Sequence, residues 1–257
     1  TILNTGDIEK KIHVVPESYI DQISDDTLDP LEIDIDTTFN FLIVSQLTGS
    51  DSNTDRKNLF NTIKYLCDTF KNDSEVGIIL KTNSGRGTRI DRKLTYTSFQ
   101  NLISQVRKGP FPKFHILHGN MNSEEIAGLY RNKSVKCLIN LTRGEGFGLP
   151  ILEATASGLP VVVTGWSGHM DFLSHGKFIP INYRLVDIHN SRVDGRIFIE
   201  GLRWAEPNEN DFKNKIKKFR KKSEIPTQWA KDLSEKILET HSQKAINKLY
   251  DNVLKQE

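Results

Sequence analysis

The chain has 257 residues, 35 Lys+Arg against 33 Asp+Glu for a formal net charge of +2, and is 37% hydrophobic and 26% charged. At roughly 150 residues per domain, this is one large domain or one domain with sizeable extensions. The composition excludes an intrinsically disordered chain, and the near-neutral balance excludes generic nucleic-acid binding.

No apolar run approaches the roughly 20 residues that span a bilayer, and no secretory leader opens the chain. Two cysteines, Cys67 and Cys137, both in apolar surroundings, exclude a disulfide scaffold and a cysteine zinc site. They read as buried reduced thiols in a reducing, cytoplasmic setting. The start, Thr1-Ile2-Leu3-Asn4, has no Met, so the chain reads as a piece of something longer.

Residues 1–38 read as an extension, with a short strand at Ile12–Pro16. Residues 21–36 carry seven acids and no base, which reads as a solvated connecting segment. A regular pattern begins at residue 39. Phe39–Ser45 predicts a buried strand. Leu59, Ile63, Leu66, Cys67 and Phe70 share one face of a helix over 56–70. Val76–Lys81 is the next strand, 95–107 a helix and Phe114–Leu117 a third strand. Asn122 with Glu125 resembles a capping box that opens a helix to about Arg131. Val135–Asn140 is a strand, 149–157 a helix, and Pro160–Thr164 a strand. A short helix over 168–174 and a sixth strand at Phe178–Ile181 follow. Strand–helix alternation at this spacing implies βαβ units and a doubly wound parallel sheet. Residues 184–206 read as irregular, with a turn or loop around Arg192, Asp194, Gly195 and Arg196. A helix capped by Asn210 or Asp211 then carries the basic run Lys213–Lys222, and a second helical stretch covers 227–255. Ile216 and Phe219 give the basic helix an apolar side, so its charges form a solvated face, with attraction to an anionic membrane surface as the alternative.

The segment Arg143-Gly144-Glu145-Gly146-Phe147-Gly148-Leu149-Pro150 lies between a predicted strand and a predicted helix. Its glycines let backbone N–H groups approach a ligand closely. Pro150 suits a first helical turn, and Gly158 suits the helix stop. In a doubly wound sheet, such a helix start lies at the edge where ligands bind, and its free N–H groups favour a phosphate. Glu145 and Glu153 flank that position and suit the hydroxyls of a sugar or ribose. The same pattern also occurs as plain architecture, since a helix dipole favours a nearby Glu by itself. The dinucleotide fingerprint is absent after the first strand, which reads Gly49-Ser50-Asp51-Ser52-Asn53, so nicotinamide cofactors are not expected.

Glu145–Glu153, followed by Ala154-Thr155-Ala156-Ser157-Gly158-Leu159-Pro160-Val161-Val162, resembles the donor-binding motif of group 1 (family 4) glycosyltransferases. That family consists of retaining enzymes of GT-B architecture, marked by two glutamates separated by seven residues. Asp55-Arg56-Lys57-Asn58 resembles its phosphate-binding basic element. His118-Gly119 with Asn122–Tyr130 resembles its passage beside the nucleobase, and Val14-Val15-Pro16 its entry to the interdomain linker. The likeness runs from about 12 to 255. It implies an α/β Rossmann-like doubly wound parallel sheet, one half of a GT-B fold, over 39–206, with C-terminal helices packed on it over 207–257.

The resemblance also implies roles. Glu145 meets donor-sugar hydroxyls and is the catalytic candidate. Glu153 meets the ribose. The amides of Gly146, Phe147, Gly148 and Leu149 lie against the sugar and diphosphate. Lys57 neutralises the diphosphate of the leaving nucleotide, where growing charge needs fixed cations. No metal and no cofactor is implied. The family's usual Gly-Arg pair after the first strand reads Ser45-Gln46-Leu47 here. Arg56 is the candidate replacement, with Arg143 and Lys81 as further candidate cations. His118 and His169 are candidate contacts to nucleotide or sugar, or else merely satisfy loops. Ser167-Gly168-His169-Met170-Asp171 departs from the family's glycine-rich turn, and Trp166 walls the pocket or simply packs.

The implied partners are a nucleotide-diphosphate sugar and, through an acceptor domain that this chain is too short to hold, an acceptor glycan or lipid-linked sugar, with peripheral membrane contact possible in principle and no nucleic acid. A non-catalytic sugar-nucleotide-binding or interaction module with the same fold is the rival reading, and a GT-B epimerase or phosphorylase ranks below it.

Overall fold

The computed structural model describes residues 11–255. Its centre is a six-stranded sheet of β1 (Phe39–Val44), β2 (Val76–Thr82), β3 (Lys113–His118), β4 (Val135–Asn140), β5 (Val161–Thr164) and β6 (Ile179–Ile181). The spatial order is β3-β2-β1-β4-β5-β6, and every pairing is parallel. The chain steps outward from β1 to β3, then returns to the other side of β1 for β4. That reversal opens a crevice at the C-terminal ends of β1 and β4. The doubly wound sheet expected from the alternation is therefore present.

Alternation along the central strands divides the core into two layers, because successive side chains point to opposite faces. Phe41, Ile43, Ile78, Leu80, Cys137 and Ile139 face one layer. Against them lie α1 (Leu59–Phe70), α2 (Arg89–Val106) and α6 (Glu209–Lys221). Leu42, Ile79, Leu138, Val161 and Val163 face the other layer, against α3 (Ser123–Arg131), α4 (Leu149–Ala156), the expected short helix α5 (Met170–Leu173) and α7 (Glu224–Thr240). Both cysteines are buried and free.

Several expected boundaries move, each for a local reason. Residues 11–20 form no strand, and Val14 is exposed, so the strand at Ile12–Pro16 is absent. The segment 21–36 is less loose than its charge suggests. All seven acids are exposed, yet Leu31, Ile33 and Ile35 alternate with them and pack against the second layer. Arg131 donates to the carbonyls of Ile23, Asp25 and Leu28, which ties this strap to α3. α1 begins at Leu59 rather than 56, because the buried Asp55 carboxylate takes the Leu59 N–H at 2.6 Å and holds the preceding residues as a loop. α2 begins at Arg89, since Thr88 and Asp91 form a capping box. The expected box of Asn122 and Glu125 also forms, at the start of α3.

The tail differs more. The span read as irregular contains an antiparallel hairpin, β7 (Tyr183–Asp187) with β8 (Arg203–Pro207), whose connection covers residues 188–202. The cap of α6 is Asn208, whose side chain accepts from the Asp211 N–H, not Asn210 or Asp211. The single stretch 227–255 is two helices, because α7 ends at His241 and Ser242 caps α8 (Gln243–Leu254). In α6 the buried residues are Phe212, Ile216 and Phe219, at i, i+4 and i+7. Three of its bases are partnered on the chain itself: Lys213 with Asp68 and Glu209, Lys215 with Asp211, and Arg220 with Asp73 and Glu75. Among the described residues, no helix is long and apolar enough to cross a membrane.

Candidate functional site

The loops that leave β1, β4 and β5 meet at the C-terminal edge of the sheet. α4 starts there, with Gly148 as its N-cap at φ +96°. A side chain at 148 would be strained by that φ and would press on His169 and Ile151 at 3.3 Å. Gly148 also has the carbonyl that accepts from Ile151 and Leu152. Among the described residues, nothing accepts from the N–H groups of Gly146, Phe147, Gly148 and Leu149. Four free amides at a helix start are a ready anion site. The Phe147 side chain turns away from it and packs on Phe172, with ring centroids 5.3 Å apart.

A second loop clamps this one from behind. Ser167, at φ +98°, both accepts from the Glu145 N–H and donates to the Glu145 carbonyl, while the Gly168 N–H donates to that carbonyl at 3.1 Å. The Glu145 carboxylate then meets two cations that come from the entry to α1. Lys57 donates to Oε1, and Arg56 lies 3.5 Å from Oε2 while also donating to the Gly144 carbonyl. Lys57 is placed by its own backbone, whose N–H reaches Thr48 Oγ1 at 3.1 Å and the Asp55 carboxylate at 3.2 Å. Glu145, Lys57 and Arg56 thus form one cluster beside the free amides.

Glu153 lies in the second turn of α4. Its Oε2 accepts from the Tyr130 hydroxyl at 3.1 Å. Burial pushes its carboxyl up to about 7, and the Tyr130 hydrogen bond pulls the other way. The sign of the stability effect follows. Between an ordinary carboxyl value and 7, the unfolded chain loses this proton while the folded chain keeps it. Native stability therefore falls as pH rises through that window and is level above it. Glu153→Gln removes this term. Its stability advantage over the parent is expected to grow by about 2 kcal/mol from pH 5 to pH 8. Urea unfolding at both pH values checks this, and a constant difference would refute it.

The remaining candidates fall into separate places. Lys81 is buried at the end of β2 and donates to the carbonyl of Gly119, which follows β3 at φ +116°. Burial lowers the Lys81 pKa, with Glu125 opposing. His118, next to Gly119, keeps a buried Nε2 with no partner. Lys81, His118 and Gly119 thus form a group at the β2–β3 end, apart from the contacts of Glu145. His169 is fully buried, and its Nε2 lies 2.7 Å from the Thr164 carbonyl. A carbonyl only accepts, so Nε2 has the proton and the unpartnered Nδ1 is bare. Burial lowers the pKa of His169, which keeps this ring neutral near pH 7.

The structure gives Arg143 a different task from the one expected. Its guanidinium is buried, pairs with Glu206 at 2.6 Å, donates to the carbonyls of Ser52 and Asp55, and lies 4.9 Å from the Trp204 ring. It fastens the β7–β8 hairpin to the Glu145 loop. Trp166 lies beside Gly144 and stacks obliquely near Tyr183, with centroids 6.2 Å apart. Sequence reasoning named Asp55, Tyr130 and Ser167 only within longer motifs and passed over Glu206, and it gave none of them the task of holding Lys57, Glu153, Glu145 and Arg143. Their partners lie 2 to 63 positions away, and only the Asp55–Lys57 pair is close enough to leave a local signal.

Residues 97–236, more than half of the chain, match the family model described as glycosyl transferases group 1. The chain belongs to this family. No curated protein matches the sequence. Among solved structures, the chain is similar to sucrose-phosphate synthase (tll1590) from Thermosynechococcus elongatus, at 14% identity and TM-score 0.54 over 86% of this chain and 46% of that one. It is similar to Anabaena Alr3699/HepE, described in complex with UDP and glucose, at 16% identity and TM-score 0.54 over 86% of this chain and 49% of that one. It also resembles the C-terminal domain of the group 1 family protein LpcC from Francisella tularensis, at 15% identity and TM-score 0.50 over 83% of this chain and 94% of that one. This glycosyltransferase chain spans about half the length of the first two, and at such identities the likeness concerns the fold.

Proposed function

We propose that this glycosyltransferase chain is the donor-binding half of a retaining, metal-independent enzyme that uses a nucleotide-diphosphate sugar in glycan synthesis. The observation that carries the reading is the set of four amides without a partner among the described residues at the start of α4, beside Glu145 with Lys57 and Arg56, and with Glu153 about one turn further along the same helix. The amides and the two cations suit a diphosphate, and the carboxylates suit hydroxyls. In the proposed transfer, the bond from the anomeric carbon to the diphosphate oxygen breaks. The acceptor oxygen bonds to that carbon, and its proton is released. Charge grows on the departing diphosphate, and Lys57, Arg56 and the α4 dipole stabilise it. Arg56 supplies, from the loop ahead of α1, a cation that Ser45-Gln46-Leu47 does not. The Anabaena relative, described with UDP and glucose, supports a uridine donor as the first to try. The acceptor, a glycan or lipid-linked sugar, would enter from a second domain.

Calorimetry and thermal shift with UDP-, GDP-, ADP- and CMP-sugars test this reading. One class is expected to bind and, at 100 times its Kd, to stabilise the fold by about 2.7 kcal/mol. Binding by none of the four classes would overturn the donor reading in favour of an interaction module.

A further inference from the structure

Next to Glu145 the site opens into a cavity of about 580 Å³ whose far wall no sequence motif marks. Gly144, Glu145, Gly146 and Trp166 form one side. The connection between β7 and β8, with Arg192 and Phe198, and the start of β8, with Arg203 and Trp204, form the other. Of the residues assigned to the diphosphate, Arg56 and Gly146 line its edge, whereas Lys57, Phe147, Gly148 and Leu149 do not line it. It is therefore a space beside the proposed diphosphate site, on the Glu145 side.

Its charge is lopsided. The guanidinium-bearing residues Arg56, Arg192 and Arg203 line it, together with Arg143, which is already paired with Glu206. The only carboxylate in the lining is Glu145, which already bridges Lys57 and Arg56. Asp194, the nearest acid to Arg192 along the chain, accepts from the N–H groups of Arg196, Ile197 and Phe198. Arg192 stacks over the Phe198 ring at 4.9 Å, and its Nε is buried without a partner. Arg203 is exposed, and among the described residues its guanidinium has no hydrogen bond or ion pair. An unpaired buried donor costs free energy unless a ligand completes it. A guanidinium fork matches a carboxylate or phosphate in shape as well as charge. Trp166 and Phe198 add flat apolar faces suited to the C–H face of a sugar ring.

We propose that this cavity binds the anionic group of a saccharide, a carboxylate or a phosphate ester, brought in either by the donor sugar or by the acceptor. This rests on the sugar-transfer reading for its place beside Glu145, and on Arg192, Arg203 and the aromatic wall for its charge preference.

The chain has three tryptophans, and their indole N–H signals in NMR spectra test the proposal. Trp166 and Trp204 line the cavity, whereas Trp229 lies on α7 beside Lys177 and serves as the internal control. The full chain is titrated with glucuronate, glucose 6-phosphate and glucose. The two anions are expected to shift Trp166 and Trp204 with affinity at least about tenfold above glucose, leaving Trp229 in place. Arg192→Gln and Arg203→Gln are each expected to lower the anion affinity about fivefold or more while keeping the parent spectrum elsewhere. Equal shifts with glucose, silence with all three sugars, or displacement of glucuronate by inorganic diphosphate would overturn the proposal. The source is then read with a nucleotide-linked hexose and its hexuronate. Tighter binding of the hexuronate assigns the anion to the donor. Equal binding, with free glucuronate still seated beside the bound nucleotide, assigns it to the acceptor. Because the free sugars need no nucleotide, failure of the donor reading in the nucleotide screen leaves this titration decisive.

Discussion

Replacing Glu145 with alanine is expected to weaken binding of the sugar nucleotide by about 100-fold while the free nucleoside diphosphate binds as well as before or better. The first part follows from lost hydrogen bonds to sugar hydroxyls, at about 1.5 kcal/mol for each bond to a charged acceptor, two of which amount to about 100-fold. The second part comes from the structure. The Glu145 carboxylate sits against Lys57 and Arg56, the two cations assigned to the diphosphate. A diphosphate arriving at those cations competes with Glu145 for them, and alanine removes the competitor. Calorimetry with the sugar nucleotide and with its free nucleotide separates the two effects. Equal losses for both ligands would refute the assignment of Glu145 to the sugar.

Gly168→Ala is expected to cost about 3 kcal/mol of stability or more and to abolish the organised site. An added Cβ would lie 1.8 Å from the Gly146 carbonyl oxygen and 2.6 Å from its carbon. Both obstacles are backbone, so no rotamer relieves the clash. The two loops have to separate, and the bonds from Ser167 and Gly168 to Glu145 are lost with them. Gly146→Ala is the control, since a Cβ there meets nothing within 4 Å. Its unfolding free energy is expected to stay within about 0.5 kcal/mol of the parent. Denaturant unfolding of the two variants, side by side, checks the pair. A Gly168→Ala protein as stable as Gly146→Ala would show that the loops are not held as described.

Much of this was legible in the chain because it depends on local patterning. Leu59, Ile63, Leu66, Cys67 and Phe70 share a helix face wherever the helix lies, and all five are buried. The capping box of Asn122 and Glu125 is a three-residue relation. Gly158 takes a positive φ at the stop of α4, the place its position after the helix suggested. The misreadings have one cause. The hairpin of β7 and β8 shows no clean alternation because Leu185 and Tyr183 are exposed and Trp204 packs beneath Arg143, 61 residues away in the chain. The acidic stretch 21–36 concealed its apolar partners for the same reason, since what Leu31 packs against is supplied by α3 and not by its neighbours.

Read alone, the sequence determined the alternation of strands and helices from β1 to β6 and the doubly wound sheet, which follow from periodicity, caps and glycine positions within a few residues of one another. The family came from the likeness of Glu145–Val162 to a known motif, and the family model bears it out. Only the tertiary structure decided which charges remain available. Arg143 and Arg56 look alike as sequence, yet one is buried against Glu206 and the other meets Glu145 at the opening. The difference depends on which carboxylates and carbonyls the fold brings within about 3 Å of each guanidinium, and hydrogen bonds act only at that range.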